Sequence, residues 1–214
     1  MYSSYCESFG KTVWGDKTPS FFRKIDIVHS LFPDARFIHI VRDGRDVFDS
    51  WRKMTPAMRY VAVTALDWSY KLYKIEKSLK KIHGEKKITV RYEDLLERPE
   101  KTVKTICSVI GEEYEPAMLN FYQSSDYFIG KHHSELIFKP LEKSNCYKWR
   151  KKLNTKEIAI FTFIAQHFLK KYQYDTTGYK FGFESFMLII KSIVIGLPVR
   201  LYNILYYKRY MKNP

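Results

Sequence analysis

A chain of 214 residues with 45% apolar and 17% aromatic residues can bury a sizeable core, which excludes a disordered protein and fits one domain. Its formal net charge of +14 favours an anionic partner: a nucleotide cofactor, a polyanion, nucleic acid or an acidic membrane surface. The three cysteines fit neither a zinc pattern nor a complete set of intrachain disulfides, which favours a reducing compartment. No basic segment followed by an apolar run opens the sequence, so no signal peptide is expected.

The first predicted elements are a helix, a strand and a second helix. The helix runs from about Pro19 to Leu31, with Thr18 as its cap. "RFIHIV", residues 36–41, has the composition of a short buried strand between turn residues. A helix is expected to follow, roughly from Arg45 to Lys53.

The remaining pattern adds one strand and three helices. The clearest helix is predicted from Val61 to His83, because apolar residues recur there at alternating steps of four and three. "KITVRYEDL" is predicted to be a strand with a charged exit, and Pro99–Ile110 a helix that Gly111 ends. "NTKE" is a capping-box pattern that opens a helix from Asn154 to about Tyr172. Helices of this length between strands imply parallel pairing, so the predicted fold class is α/β.

Four charged residues follow the first strand in "VRDGRDVFDSW". Ligands of open α/β sheets bind outside the carboxyl ends of the strands, where Arg42 lies, and arginine grips phosphate with a planar fork of donors. The amides that open the next helix favour an anion, and Ser50, two helical turns on, could add a hydroxyl. The pattern predicts a phosphate site. The alternative is mutual pairing at a solvated turn among the four charged residues: Arg42, Asp43, Arg45 and Asp46.

Three segments in order resemble one enzyme family: "WGDKTPSFF", "LFPDARFIHIVRDGRDVFDSW" and "VRYEDLLERPEKTVKTICSVIG". They are similar to sulfotransferases that use 3'-phosphoadenosine 5'-phosphosulfate (PAPS), in the bacterial, protein-tyrosine and heparan-type branches. The resemblance runs from about Trp14 to Tyr174. It implies a P-loop-NTPase-like parallel sheet flanked by helices, and it implies that Arg42 and Ser50 bind the 3'-phosphate of the cofactor.

The same resemblance extends to four further site residues. It implies that Lys17, in "DKTP", approaches the sulfonate or bridging oxygen and stabilises charge as the phosphoadenosine leaves. It implies that Tyr92 lies near the adenine. "SELIFKPLEKSNCYKW" resembles a late family segment and implies that Ser134 and Lys148 close over the nucleotide. The alternative for Lys17 is a surface lysine, and for Tyr92 it is ordinary core packing. For Lys148 the alternative is a lysine that merely flanks a buried Trp149.

The family's first strand and its phosphosulfate-binding loop are not found. "SFGKT" imitates the end of a Walker A loop, but Tyr5 stands where the first glycine belongs and no strand precedes it. We therefore expect a sulfotransferase-like domain over residues 1–180 that lacks its first strand and loop. A truncated gene call, a missing part on another chain and a short family member with another role remain open. No catalytic base is assigned, and His132 and His133 are candidates by residue type alone.

Residues 181–214 are predicted to form an apolar and basic helical tail. Lys191, Gly196 with Pro198, and Arg200 interrupt its apolar run, which makes the run a poor spanning helix. The basic end suits a membrane surface. Packing on the domain, an interfacial membrane helix and a true span are the three alternatives.

The resemblance implies a transferase that moves a sulfonate group from PAPS, without a metal ion, to a hydroxyl or amine acceptor. The acceptor could be a carbohydrate, a tyrosine, a lipid or a small molecule, and the activity of this fragment is left open. The alternative is a non-catalytic basic module that binds nucleotides or polyanions. No nucleic-acid partner is expected. The expected location is the cytoplasm, with association to a membrane surface through the tail as the other option.

Overall fold

The computed structural model describes residues 6–54, 56–123 and 138–210, with side chains up to residue 206. Within these ranges the chain forms two strands, and its other regular elements are helices. In chain order the elements are α1 Ile25–Leu31, β1 Phe37–Val41, α2 Gly44–Trp51, α3 Val61–Leu79, β2 Lys87–Arg91, α4 Tyr92–Glu97, α5 Pro99–Ile110, α6 Trp149–Lys152, α7 Thr155–Lys171 and α8 Phe183–Tyr210. Short 3-10 helices lie at Pro19–Arg23, Pro56–Arg59, Gly84–Lys86, Pro116–Gln123 and Lys143–Asn145.

The two strands form a small parallel sheet. Phe37 pairs with Lys87 at one end, and Val41 pairs with Arg91 at the other. The chain between them passes through α2 and α3, which is the helical crossover that parallel strands need. The described part is therefore a mostly helical α/β fold in which both strands end at the same edge. The expectation of a missing first strand and loop stays a prediction.

The core lies between α2, α3 and α7 on one side of the sheet. Phe48, Trp68 and Phe161 are buried there, and the ring centroid of Phe161 lies 6.4 Å from that of Phe48 and 5.9 Å from that of Trp68. Gly44 starts α2 against this cluster, and a Cβ atom on it would lie 2.6 Å from the Phe161 ring and 2.7 Å from Trp68. Only a glycine lets the turn after β1 approach the core this closely.

Several predicted boundaries are wrong. The predicted first helix is divided at Lys24 (φ −131°) into the 3-10 helix Pro19–Arg23 and α1. Thr18 does not cap it, because its hydroxyl donates to Asp16 Oδ1 at 2.6 Å. The second strand ends at Arg91, since Tyr92 already begins α4.

Two local predictions are confirmed by hydrogen-bond geometry. Gly111 ends α5 in the left-handed conformation, with φ 78°. The capping box that opens α7 is complete: Glu157 N donates to Asn154 Oδ1 at 2.9 Å, and Asn154 N donates to Glu157 Oε2 at 3.0 Å. These predictions succeeded because each depends on residues within one helical turn.

The C-terminal helix α8 packs against α3, α7 and Pro56–Arg59, as one of the three alternatives for the tail predicted. It continues through Gly196 and Pro198 rather than breaking there. Within the described residues it supplies the single segment, Phe183–Tyr206, that is long and apolar enough to cross a membrane. The predicted domain boundary near residue 180 stays a prediction.

Candidate functional site

The site is built where β1 and β2 end together. Val41 and Arg91 are register partners, so the next residues, Arg42 and Tyr92, emerge side by side. The guanidinium carbon of Arg42 lies 4.8 Å from the centroid of the Tyr92 ring, within the range of a cation–π contact. Burial raises the pKa of Tyr92, and Arg42 opposes part of that rise. The fold therefore joins two residues that lie fifty positions apart in the sequence.

Arg42 keeps unused hydrogen-bond capacity. It is half-buried, and its Nη2 donates to the main-chain carbonyl of Asn145 at 3.0 Å. Its Nε is buried and has no partner among the residues that the structure describes. An unpaired buried donor on a charged group is costly, and an anion in front of the guanidinium would remove that cost. The donors present thus fit a phosphate group.

Lys148 reaches the same place through Asn145. The Nζ of Lys148 donates to Asn145 Oδ1 at 2.6 Å, so one asparagine contacts two cations, with its carbonyl on Arg42 and its side chain on Lys148. Asn145 is buried. Sequence reasoning missed it, although it lies inside the quoted "SNCYKW" stretch. The neighbouring Trp149 is buried, and the role of Lys148 at the nucleotide stays a prediction.

Asp46 fixes this late segment to α2. One of its carboxylate oxygens accepts from Tyr147 N at 2.7 Å, and the other accepts from Trp149 N at 2.8 Å. Burial raises the pKa of Asp46, and this effect outweighs the lowering by those two bonds and by the nearby Arg42. Tyr147 takes a left-handed conformation, with φ 56°, between the two bonds. Asp46 therefore serves as an anchor that holds the Asn145–Lys148 region over the strand ends.

The other two charges of "RDGRD" form a buried ion pair. Arg45 and Asp43 meet through two bonds, Nε to Oδ1 at 3.0 Å and Nη2 to Oδ2 at 2.8 Å, and both side chains are fully buried. The guanidinium of Arg45 also lies 3.8 Å from the Trp149 ring centroid and donates to the Asp175 carbonyl at 2.8 Å. The predicted alternative of mutual pairing is thus right for Arg45 and Asp43, although their pair is buried rather than placed at a solvated turn, and it is wrong for Arg42.

The start of α2 differs from the sequence prediction. Its amides were expected to favour an external anion, but Asp43 Oδ1 accepts from Arg45 N at 2.9 Å and so supplies the cap internally. The neighbouring Glu93, which sequence reasoning also missed, accepts from Asp43 N at 2.9 Å and from Tyr174 Oη at 2.8 Å. Burial raises the pKa of Glu93. The signal available in the sequence was an acidic residue two positions after a strand.

Comparison with known proteins places the chain in a family. Residues 1–116, just over half of it, match the Sulfotransferase family. This chain belongs to the sulfotransferase family. Nodulation protein NoeE of Sinorhizobium fredii (strain NBRC 101917 / NGR234) is 26% identical, with 56% of this chain and 33% of that protein aligned. The chain therefore spans about a third of the length of that curated relative.

Solved structures show the same fold. The sulfotransferase domain from the curacin biosynthetic pathway superposes with a TM-score of 0.65 at 21% identity, over 81% of this chain and 67% of that one. The sulfotransferase domain from the Synechococcus PCC 7002 olefin synthase superposes with a TM-score of 0.63 at 23% identity, over 81% and 63%. At these identities the likeness speaks for the fold alone.

The remaining predicted residues of this sulfotransferase-family chain are less closely tied to Arg42. Ser50 is exposed in the last turn of α2, one helical turn beyond Asp46 and on the same side. Lys17 is exposed just before Pro19–Arg23. Their roles stay predictions. Ser134 lies outside the described residues, as do the two histidines considered as bases, His132 and His133.

Cys146 lies near the site in its protonated form. Cys146 lies beside Arg42, but burial, with Glu93, Glu97 and Asp46 nearby, raises its pKa to about 11 and keeps it a thiol. Among the described residues, no three His, Cys, Asp or Glu side chains gather as a metal cluster. The side chains at the strand ends can bind an anion through Arg42 and Lys148, beside the aromatic ring of Tyr92.

Proposed function

We propose that this chain binds PAPS, with Arg42 on the 3'-phosphate, and serves the transfer of a sulfonate group to a hydroxyl or amine acceptor. The half-buried guanidinium at the end of β1, with its Nε unpaired, is the observation that carries the proposal. The ring of Tyr92 supports the flat guanidinium from one side, and Asn145 holds it from another. A charged donor that is already positioned loses little entropy on meeting a phosphate.

The other proposed ligands take roles that their chemistry permits. Lys148 adds a second cation near Arg42 through their shared contact with Asn145, and Tyr92 offers an aromatic surface to the adenine. Ser50 is proposed to donate to the same phosphate, and Ser134 to close over the nucleotide. Lys17 is proposed to face the bridging oxygen, where a cation stabilises charge that develops on the leaving phosphate.

The proposed reaction breaks the bond from sulfur to the bridging phosphate oxygen and forms a bond from sulfur to the acceptor oxygen or nitrogen. PAPS supplies the sulfonate, and adenosine 3',5'-bisphosphate leaves with the bonding electron pair. The acceptor proton passes to a base that the described residues do not identify. This chain would promote the transfer by positioning the reactants and by stabilising charge with preorganised donors. No metal ion is part of the proposal.

Binding of adenosine 3',5'-bisphosphate, followed by calorimetric titration of the full chain, tests the proposal. Removing one charged hydrogen-bonding partner costs about 1.5–3 kcal/mol, so Arg42→Ala should weaken binding by roughly 10- to 150-fold. Arg36→Ala is the matched control, because Arg36 lies just before the amino end of the same strand and donates to the Val109 carbonyl instead. It should bind as the wild type does.

A second comparison separates a nucleotide site from attraction of any polyanion by the +14 charge. Adenosine 5'-monophosphate lacks the 3'-phosphate, and it should bind the wild type about as weakly as the bisphosphate binds Arg42→Ala. The non-catalytic polyanion-binding module would be favoured by three results together. The monophosphate and the bisphosphate would bind equally well, Arg42→Ala and Arg36→Ala would bind them equally well, and 0.5 M salt would abolish the binding. Transfer itself is tested with sulfur-labelled PAPS and a panel of carbohydrate, tyrosine, lipid and alcohol acceptors.

A further inference from the structure

The outer face of α8 is apolar where a surface helix would normally be polar. Between Phe183 and Tyr206, thirteen large apolar side chains are at least 37% exposed. Val194 and Leu201, near the middle of this face, are 64% and 60% exposed. A continuous apolar surface of this kind marks an interaction site rather than ordinary solvent contact.

The inner face of α8 carries the small and polar residues that fasten it to the domain. Ser192 Oγ accepts from Ala62 N at 3.1 Å, and Arg200 pairs with the buried Asp67. Gly196 lies so close to α3 that a Cβ atom would approach Val63 within 2.7 Å. Ser192, Gly196 and Arg200 thus face the domain, which leaves the apolar side of the helix facing outward.

Cationic residues lie on the apolar face and beside it. A cleft of about 450 Å³ runs beside α8, and its lining includes Arg59, Lys156 and Lys191. Lys156 pairs with Glu184 at 2.5 Å, whereas Arg59 and Lys191 have no carboxylate partner among the residues that the structure describes. Lys208, Arg209 and Lys212 follow in the sequence. Apolar surface with cations on it and beside it complements an anionic lipid bilayer.

We propose that α8 is an interfacial membrane helix that lies flat on an anionic lipid surface, with its outer face in the boundary between headgroups and acyl chains. The exposed apolar positions cover roughly 200° of the helix circumference at 3.6 residues per turn. A second copy of α8 would cover only a narrow seam of that arc, whereas lipid covers all of it. This proposal is independent of nucleotide binding.

The contacts with the domain favour a helix in the plane of the membrane over a spanning one. If α8 crossed the bilayer while fastened to α3, the charged Asp67, Lys71 and Arg200 would enter the hydrocarbon with it. Charged side chains at that depth are costly. Lying flat places the same groups above the headgroups and leaves every domain contact intact.

Flotation of the full chain with vesicles tests the proposal. The wild type should float with vesicles of phosphatidylcholine and phosphatidylglycerol at about 70:30, and at least tenfold less with phosphatidylcholine alone, because cations near an anionic surface each strengthen binding. The double variant Val194→Glu/Leu201→Glu should lose at least tenfold of the bound fraction. Ile27→Glu/Leu31→Glu is the matched control, since it changes the same charge at two exposed apolar positions on α1.

The control variant should float like the wild type, and thermal melting should show all three proteins folded. The proposal would be overturned if both double variants floated equally well. It would also be overturned if the wild type formed a dimer without lipid and Val194→Glu/Leu201→Glu dissociated that dimer. Resistance of the bound wild type to extraction with alkaline carbonate would overturn the in-plane placement in favour of a span. As a second measurement, Val194→Trp should show blue-shifted fluorescence that brominated lipid quenches, and unchanged emission on adding vesicles would count against it.

Discussion

The main-chain carbonyl of Asn145 accepts a 3.0 Å hydrogen bond from Nη2 of Arg42, although 103 residues separate the two in the sequence. The side chain of the same asparagine accepts from Lys148 at 2.6 Å. One buried amide residue thus sets the positions of both cations at the strand ends.

The side chain of Asn145 should matter only through Lys148. Asn145→Ala removes the Oδ1 acceptor and keeps the carbonyl that holds Arg42, so we expect adenosine 3',5'-bisphosphate to bind about fivefold more weakly, a loss of roughly 1 kcal/mol. In a Lys148→Met background the same change should have no further effect. Titration of the four proteins forms a double-mutant cycle, and additive losses would contradict the proposed coupling.

The ring of Tyr92 should contribute more than its hydroxyl. The 4.8 Å contact with Arg42 involves the aromatic face, which Tyr92→Phe preserves and Tyr92→Leu removes. We expect Phe to bind the bisphosphate as the wild type does, and Leu to bind it about two- to fivefold more weakly, since a partly exposed cation–π contact contributes about 0.5–1 kcal/mol. A large loss in the Phe variant would assign the role to the hydroxyl instead.

The two arginines of "RDGRD" should separate into one for binding and one for stability. Arg45→Ala leaves Asp43 as an unpaired buried charge, so we expect the free energy of unfolding to fall by about 3–5 kcal/mol. Arg42→Ala removes a half-buried donor with an unpaired Nε, so stability should change by less than about 1 kcal/mol. Urea unfolding monitored by circular dichroism measures both, and equal losses would refute the division.

The fold should lose stability on mild acidification because of His39. Burial lowers the pKa of His39 to about 4, although Glu76 opposes the shift. Between its usual value of 6.5 and about 4 the unfolded chain binds the proton that the folded chain refuses, so unfolding becomes easier as the pH falls. The shift corresponds to at most about 3 kcal/mol, which is fully lost below the lower value.

His39→Gln isolates that contribution. The variant lacks the titrating imidazole, so the difference in unfolding free energy between it and the wild type should shrink or reverse as the pH falls from 7 to 4. Asp46 and Glu93, whose pKa values burial raises, favour the fold on acidification, and they cancel in this difference because both proteins carry them. A constant difference across that range would show that His39 titrates normally.

Much of the fold could be predicted from local patterns. The β1 strand, the Gly111 stop and the Asn154–Glu157 capping box each depend on a few neighbouring residues, and the structure reproduces them. The boundaries that failed, at Lys24 and at Tyr92, are places where tertiary packing overrides local propensity. The family followed from three motifs in order, because their spacing carries more information than any one of them.

The sequence by itself determined which residue types stand after the first strand and how they are spaced. Only the tertiary structure decided that Arg45 turns inward to Asp43 while Arg42 stays available, and that Asn145 returns to join it. Only the tertiary structure showed that Ser192 and Arg200 of α8 contact the domain and that the apolar side of this helix faces outward. The physical reason is that the groups which decide these orientations lie more than a hundred positions away: Arg45 contacts Asp175, Arg42 contacts Asn145 and Ala62 contacts Ser192. No local spacing encodes such contacts.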